Sequence, residues 1–152
     1  MAIALAELHE ADGRTDEAVK VLAKVPVERL DPLPEAVVRL ARAQAYLHRG
    51  DTEEASATIK PLGEGVDDPA VDAALRLTRA TIAYLDGEVA DAVDVARQVL
   101  AQAHPEDELW DEAKALEALV TDDPGLLDEL SPAGRARLAA VSAPRIREWL
   151  GG

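Results

Sequence analysis

Six side chains could carry recognition chemistry. Arg39, Arg42, Tyr46 and Arg49 are spaced by 3, 4 and 3 residues, so on a helix they share one face. Arg76 and Arg79 repeat the first two positions 37 residues later. Guanidinium forks bind carboxylates or phosphates bidentately. The stripe therefore predicts a ligand-binding groove that anchors an acidic segment or a carboxylate of a partner. An internal reading stands beside it. Glu35 precedes Arg39 by four residues and Asp72 precedes Arg76 by four. Such pairs make helix-face salt bridges worth about 0.3–0.5 kcal/mol each. Tyr46 and Tyr84 either border the groove or pack against it. Trp110, Ile146, Trp149 and Leu150 form a second candidate set, an apolar end interface.

Catalytic chemistry finds no comparable grouping. His9, His48 and His104 are scattered, without an HExxH spacing, and cysteine is absent. No disulfide, thiol or cysteine zinc chemistry follows, and no metal or cofactor is expected. Ser56, Ser131 and Ser142 lack a nucleophile motif. Gly63-Glu64-Gly65 lacks the lysine and the preceding strand of a phosphate loop. Paired carboxylates such as Asp67-Asp68, Glu53-Glu54 and Asp122-Asp123 read as caps, turns and solvated faces. The sequence predicts no enzyme.

The arginines stand in an acidic chain. Its 152 residues hold 16 Lys+Arg against 30 Asp+Glu, a net charge of −14. That balance argues against affinity for nucleic acid or anionic lipid. No apolar run is long enough to span a membrane, and Met1 to Leu8 lacks the basic stretch of a secretory signal, so a cytoplasmic protein is expected. Charge is uneven: residues 106–130 carry ten acidic residues and one lysine, whereas 131–150 carry four arginines and only Glu148. The C-terminal helices either fold back on the acidic helix or leave it for a basic partner. The excess of arginine and alanine points to a GC-rich bacterial genome.

Positioning these groups requires helices. Ala supplies 30 residues and Leu 20, while Phe is absent. This composition favours helix over sheet. It also repeats. Gly13, Gly50 and Gly87 are 37 residues apart, as are Ala18, Ala55 and Ala92, and Ala6, Ala43 and Ala80. Each unit reads as a helix closed by the Gly, then a second helix two or three residues later, capped in the second unit by Asp51 or Thr52. The Ala five residues after each Gly suits a close crossing of two antiparallel helices. The pattern predicts helices over about 2–11, 15–25, 34–48, 52–61, 70–85 and 88–103. Beyond Pro105, residues 107–120 form an amphipathic helix with Leu109, Ala113, Leu116 and Val120 on one stripe. A short helix at 126–130, another from Ser131-Pro132 to about Ala140, and a last turn or two over 144–150 follow.

The stretch Ala43-Gln44-Ala45-Tyr46-Leu47-His48-Arg49-Gly50-Asp51-Thr52-Glu53-Glu54-Ala55 resembles the tetratricopeptide repeat, in its small residue, aromatic, turn Gly and Ala. Gly13 to Ala18 matches the same turn, and Ala80, Gly87 and Ala92 carry it onward. The resemblance covers roughly residues 2–104, and 106–130 weakly. It implies an all-α, right-handed solenoid of antiparallel helical hairpins, of a divergent bacterial type. One domain over 1–150 is expected, with units of about 1–33, 34–68 and 69–105, then a degenerate unit and capping helices over 106–150. Arg39, Arg42, Arg76 and Arg79 depart from the family's aromatic or Leu near the start of the first helix. Asparagine is absent, so an Asn-and-Lys carboxylate clamp is not implied.

The resemblance implies a protein-interaction module that binds a peptide or partner protein in the groove or on an end helix. The alternative is a structural or homodimerisation segment of a larger scaffold or regulator, without a dedicated peptide. The uncapped helix near Met1 and apolar solenoid ends favour that second reading and a homo-oligomer.

Overall fold

The computed structural model describes residues 14–105, 107–141 and 144–151. Its regular elements are all helical, as the composition demands. They are α1 (Thr15–Ala23), α2 (Pro32–His48), α3 (Thr52–Ile59), α4 (Pro69–Leu85), α5 (Ala92–Gln102), α6 (Glu108–Thr121), α7 (Pro132–Val141) and α8 (Pro144–Trp149). Short 3-10 turns fill Val27–Arg29, Lys60–Leu62 and Pro124–Glu129. The helix expected over 2–11, with Ala6, His9 and Gly13, lies outside the described residues. The chain divides into two compact units at Thr78/Arg79, within α4.

In unit 1, α2 packs against both α1 and α3. Proline at the first position of α2 follows Asp31, and its missing N–H costs nothing there. At its other end, α2 closes as the sequence predicts. Gly50 adopts φ +86°, Asp51 N–H donates to the Tyr46 carbonyl (2.9 Å) and Gly50 N–H to the Leu47 carbonyl (3.0 Å). These two bonds form a Schellman closure, which needs a left-handed residue. Gly87 repeats it at φ +94°, with Glu88 N–H on the Ala83 carbonyl (2.8 Å) and Gly87 N–H on the Tyr84 carbonyl (3.0 Å).

Two details of these turns differ from expectation. Asp51 precedes α3 but makes no side-chain cap. Its carboxylate instead accepts from Arg49 Nε at 2.6 Å, a charge-assisted bond stronger than an amide cap. The second helix of the next hairpin starts at Ala92, not at 88, with Asp91 before it.

The small residues of the repeat sit where close packing was expected. Ala18 and Ala55 are fully buried and Ala92 is 2 % exposed. Ala55→Leu is expected to destabilise the fold by about 2 kcal/mol through overpacking. Ala57→Leu, at an exposed position on the same helix, should leave the thermal midpoint within about 3 °C. Circular dichroism melts of the two variants compare them directly.

In unit 2, α6 packs against α5, the 124–129 turn and α8. It is not the one-sided amphipathic helix read from the sequence. Trp110, Asp111 and every residue from Ala113 to Ala118 are buried, while Leu109 and Val120 of the expected stripe are only half-buried. Neighbours on several sides cover Asp111, Lys114 and Glu117 along with the apolar positions. Gly134 in α7 reflects the crowding: a Cβ there would lie 2.5 Å from Asp111 Oδ2. The core of the unit gathers Trp110, Ala115, Ala118, Leu127, Leu130, Leu138 and Ile146. The short helix expected at 126–130 is the 3-10 turn 124–129, entered by Asp123, whose carboxylate accepts from Gly125 N–H. The end of α6 mimics the Gly closures with Asp122 in the left-handed position (φ 55°) and Asp123 N–H on the Ala118 carbonyl (3.0 Å). Asp tolerates that geometry better than most residues.

The basic C-terminal segment folds back on the acidic one. Arg145 pairs with Asp122 and lies 5.0 Å from the Trp149 ring centre. Arg135 Nη1 donates to the Leu127 carbonyl at 2.9 Å. The side chain of Arg137 lies outside the description.

Candidate functional site

The arginine stripe of α2 does not present a row of free guanidinium groups. Arg42 reaches back to the end of α1, where Nε donates to the Leu22 carbonyl (2.8 Å) and Nη2 to the Val25 carbonyl (2.6 Å). The last carbonyls of a helix have no partners within it. One planar fork adds a charge-assisted bond to each of two acceptors at this end, beside the turn bonds they take from Val25 and Val27 N–H. Arg39 does the same for α3: Nη1 donates to the Thr58 carbonyl at 3.2 Å, while Nε stands 3.5 Å from Glu35. Its side chain is 16 % exposed. Both arginines therefore fasten neighbouring helices to α2. The expected groove role meets a physical obstacle here, since an external carboxylate would have to displace these bonds.

Arg49 is more open. It bonds Asp51 and reaches Asp16 at 3.2 Å, and its guanidinium carbon lies 5.5 Å from the Tyr46 ring centre. The hydrogen bond it donates to Asp51 raises its pKa above the ordinary arginine value, with burial opposing and Asp16 adding to the rise. Tyr46 and Arg49 line one shallow depression with Glu53 and Glu54. Arg49 lines a second with Arg14, Glu17 and His48. Arg76 stands 3.7 Å from Asp72, the helix-face pair read from the sequence. Asp72 also accepts from Val66 N–H at 3.0 Å, which ties the 62–68 linker to α4. Arg79 is half-buried and engaged.

The opposite side of α2 holds what the arginine pattern concealed. At 3.6 residues per turn, Leu33, Val37, Gln44 and His48 fall within about 60° of one another, roughly 180° from the Arg39–Arg42 side. Leu33 is 44 % and Val37 37 % exposed, among the largest exposed apolar side chains of the described protein. Gln44 Nε2 lies 3.2 Å from His48 Nε2. The row joins two aliphatic side chains to an amide and an imidazole, a combination suited to an apolar anchor with polar register. The signal was present in the sequence as an apolar i, i+4 pair at the start of a helix, but a core reading fits such a pair equally well.

The expected end interface is built into unit 2. Trp110 is 8 % exposed and Ile146 fully buried, both in the core. Trp149 and Leu150 pack half-buried against it. Tyr84 donates to the Leu119 carbonyl at 3.4 Å within the same unit, a packing role. Among the described residues no three His, Asp or Glu side chains are placed to hold a metal ion. No helix among them is long and apolar enough to cross a membrane.

Residues 2–33 match the family described as Tetratricopeptide repeat. No curated protein and no solved structure matches the chain at a significant level. That segment is similar to a tetratricopeptide repeat, and the elements that follow it are likewise helical.

Proposed function

We propose that the chain is a protein–protein interaction module that receives a peptide or partner protein on the Leu33–Val37–Gln44–His48 face of α2. Repeats of this family generally mediate such interactions. The observation that carries the reading is the two-sidedness of α2. One side is fastened through Arg39 and Arg42, and the other leaves Leu33 and Val37 in water. Exposed apolar side chains beside polar groups are the usual ground plan of an interface. Arg49, on the arginine side of α2, and Arg76, on α4, keep 38 % and 36 % of their side chains exposed and are the places away from this row where a carboxylate of the partner would add register.

The test is recovery of binding partners by wild type and by Leu33→Glu/Val37→Glu. The double variant should melt with wild-type cooperativity, because both positions are exposed. It should recover about tenfold less of each partner, as expected when a central apolar anchor is lost. Undiminished recovery by the folded variant would refute the α2 face. Arg49→Glu/Arg76→Glu, measured alongside, reports the contribution of a carboxylate anchor.

A further inference from the structure

The turn between α4 and α5 departs from its counterpart between α2 and α3 in ways that folding does not require. Both close on a left-handed Gly. In unit 1 the residue before that Gly is Arg49, a cation at a helix C-terminus, where carbonyl dipoles favour positive charge. In unit 2 the corresponding residue is Asp86, of the disfavoured sign. Asp51-Thr52 becomes Glu88-Val89, and α5 begins three residues later in register than α3. Every residue from Leu85 to Asp91 is exposed. Leu85 is 43 % and Val89 48 % exposed. Asp86, Glu88, Asp91 and Asp94 accompany them, and no Lys or Arg occurs between Arg79 and Arg97. None of the four carboxylates is ion-paired among the described residues.

Asp91 and Asp94 have a local reason, since carboxylates favour the N-terminus of α5. Asp86, Glu88, Leu85 and Val89 have none within unit 2. We infer that this turn is a docking surface for a Lys- or Arg-rich segment of a partner protein that carries an apolar anchor residue. Leu85 and Val89 supply the apolar contact, and the carboxylates attract and orient the cations around it. The inference rests on the interaction-module reading but not on the α2 face, which has a different chemistry.

A fluorescent amphipathic peptide of about 12 alternating Lys and Leu pairs of residues, helical when bound, serves as the probe, with a Lys/Ser peptide of equal charge beside it. Anisotropy titrations at near-physiological salt compare four proteins. Asp86→Lys/Glu88→Lys and Leu85→Ser/Val89→Ser should each raise Kd about tenfold. Glu53→Lys/Glu54→Lys changes net charge equally at the unit 1 turn and should stay within about twofold of wild type. The Lys/Ser peptide should bind wild type about tenfold more weakly than the Lys/Leu peptide. Asp86→Lys should melt no lower than wild type, because it restores the favourable sign at the end of α4. Equal weakening by the two charge reversals, or no binding by wild type, overturns the inference. Leu33→Glu/Val37→Glu separates it from the broader reading. If that variant alone loses the probe, α2 is the site, and the module stands while this docking surface does not.

Discussion

Lys114→Ala is expected to destabilise unit 2 by about 3 kcal/mol, well beyond the loss for an exposed lysine. Lys114 and Glu117 are each only 10 % exposed in their side chains. Lys114 Nζ stands 2.9 Å from Glu129 and 3.6 Å from Glu117, and 5.2 Å from the Trp110 ring centre. Glu117 also accepts from Arg97 Nε at 2.8 Å. Truncation removes the cation from a buried carboxylate and the aliphatic stem from the indole. Arg97 still holds one oxygen of Glu117, which keeps the cost near the lower end for a broken buried pair. Lys114→Met keeps the stem and should cost less. Lys114→Met/Glu117→Leu removes both ions together and should lie within about 1 kcal/mol of wild type, or above it. Both tryptophans, Trp110 and Trp149, belong to unit 2. Urea titrations followed by tryptophan fluorescence therefore read this unit. A double variant as unstable as Lys114→Ala would show that the ions themselves stabilise the fold.

Arg42→Ala is expected to cost unit 1 about 2–4 kcal/mol. Two charge-assisted bonds to the Leu22 and Val25 carbonyls disappear, which leaves each acceptor with a single turn bond, from Val25 N–H (3.2 Å) and Val27 N–H (2.9 Å). Arg42→Lys should recover less than half of the loss. A single ammonium on a flexible stem cannot reproduce the planar fork that spans both oxygens. Circular dichroism melts of the three proteins give the order. A fully stable Arg42→Ala protein would mean that water replaces the fork without penalty, and Arg42 would then be available to a ligand.

The same arginines show how far the sequence could be read. Helix positions followed from periodicity, and the closures at Gly50 and Gly87 from the need for left-handed backbone. Ala18, Ala55 and Ala92 declared their burial because nothing larger fits a close crossing. The direction of Arg39 and Arg42 was not legible. Their spacing says that they share a face but not what the face meets, and the carbonyls at a helix end that accept from them carry no mark in a sequence. Glu35–Arg39 and Asp72–Arg76 were visible because i, i+4 pairs are local. Lys114–Glu129 was not, since it depends on how the 124–129 turn returns to α6. Burial of α6 on several sides was hidden for the same reason: Lys114 and Glu117 read as solvent-facing until neighbours cover them. Leu33 and Val37 are the opposite case, an apolar pair that the fold leaves uncovered.

Hydrogen exchange of the chain alone and in complex with a recovered partner tests the central claim most directly. Binding is expected to add protection along residues 32–48, since a partner seated on Leu33, Val37, Gln44 and His48 suppresses opening of α2. Unchanged exchange over 32–48 in the complex, with new protection confined to other helices, would contradict it.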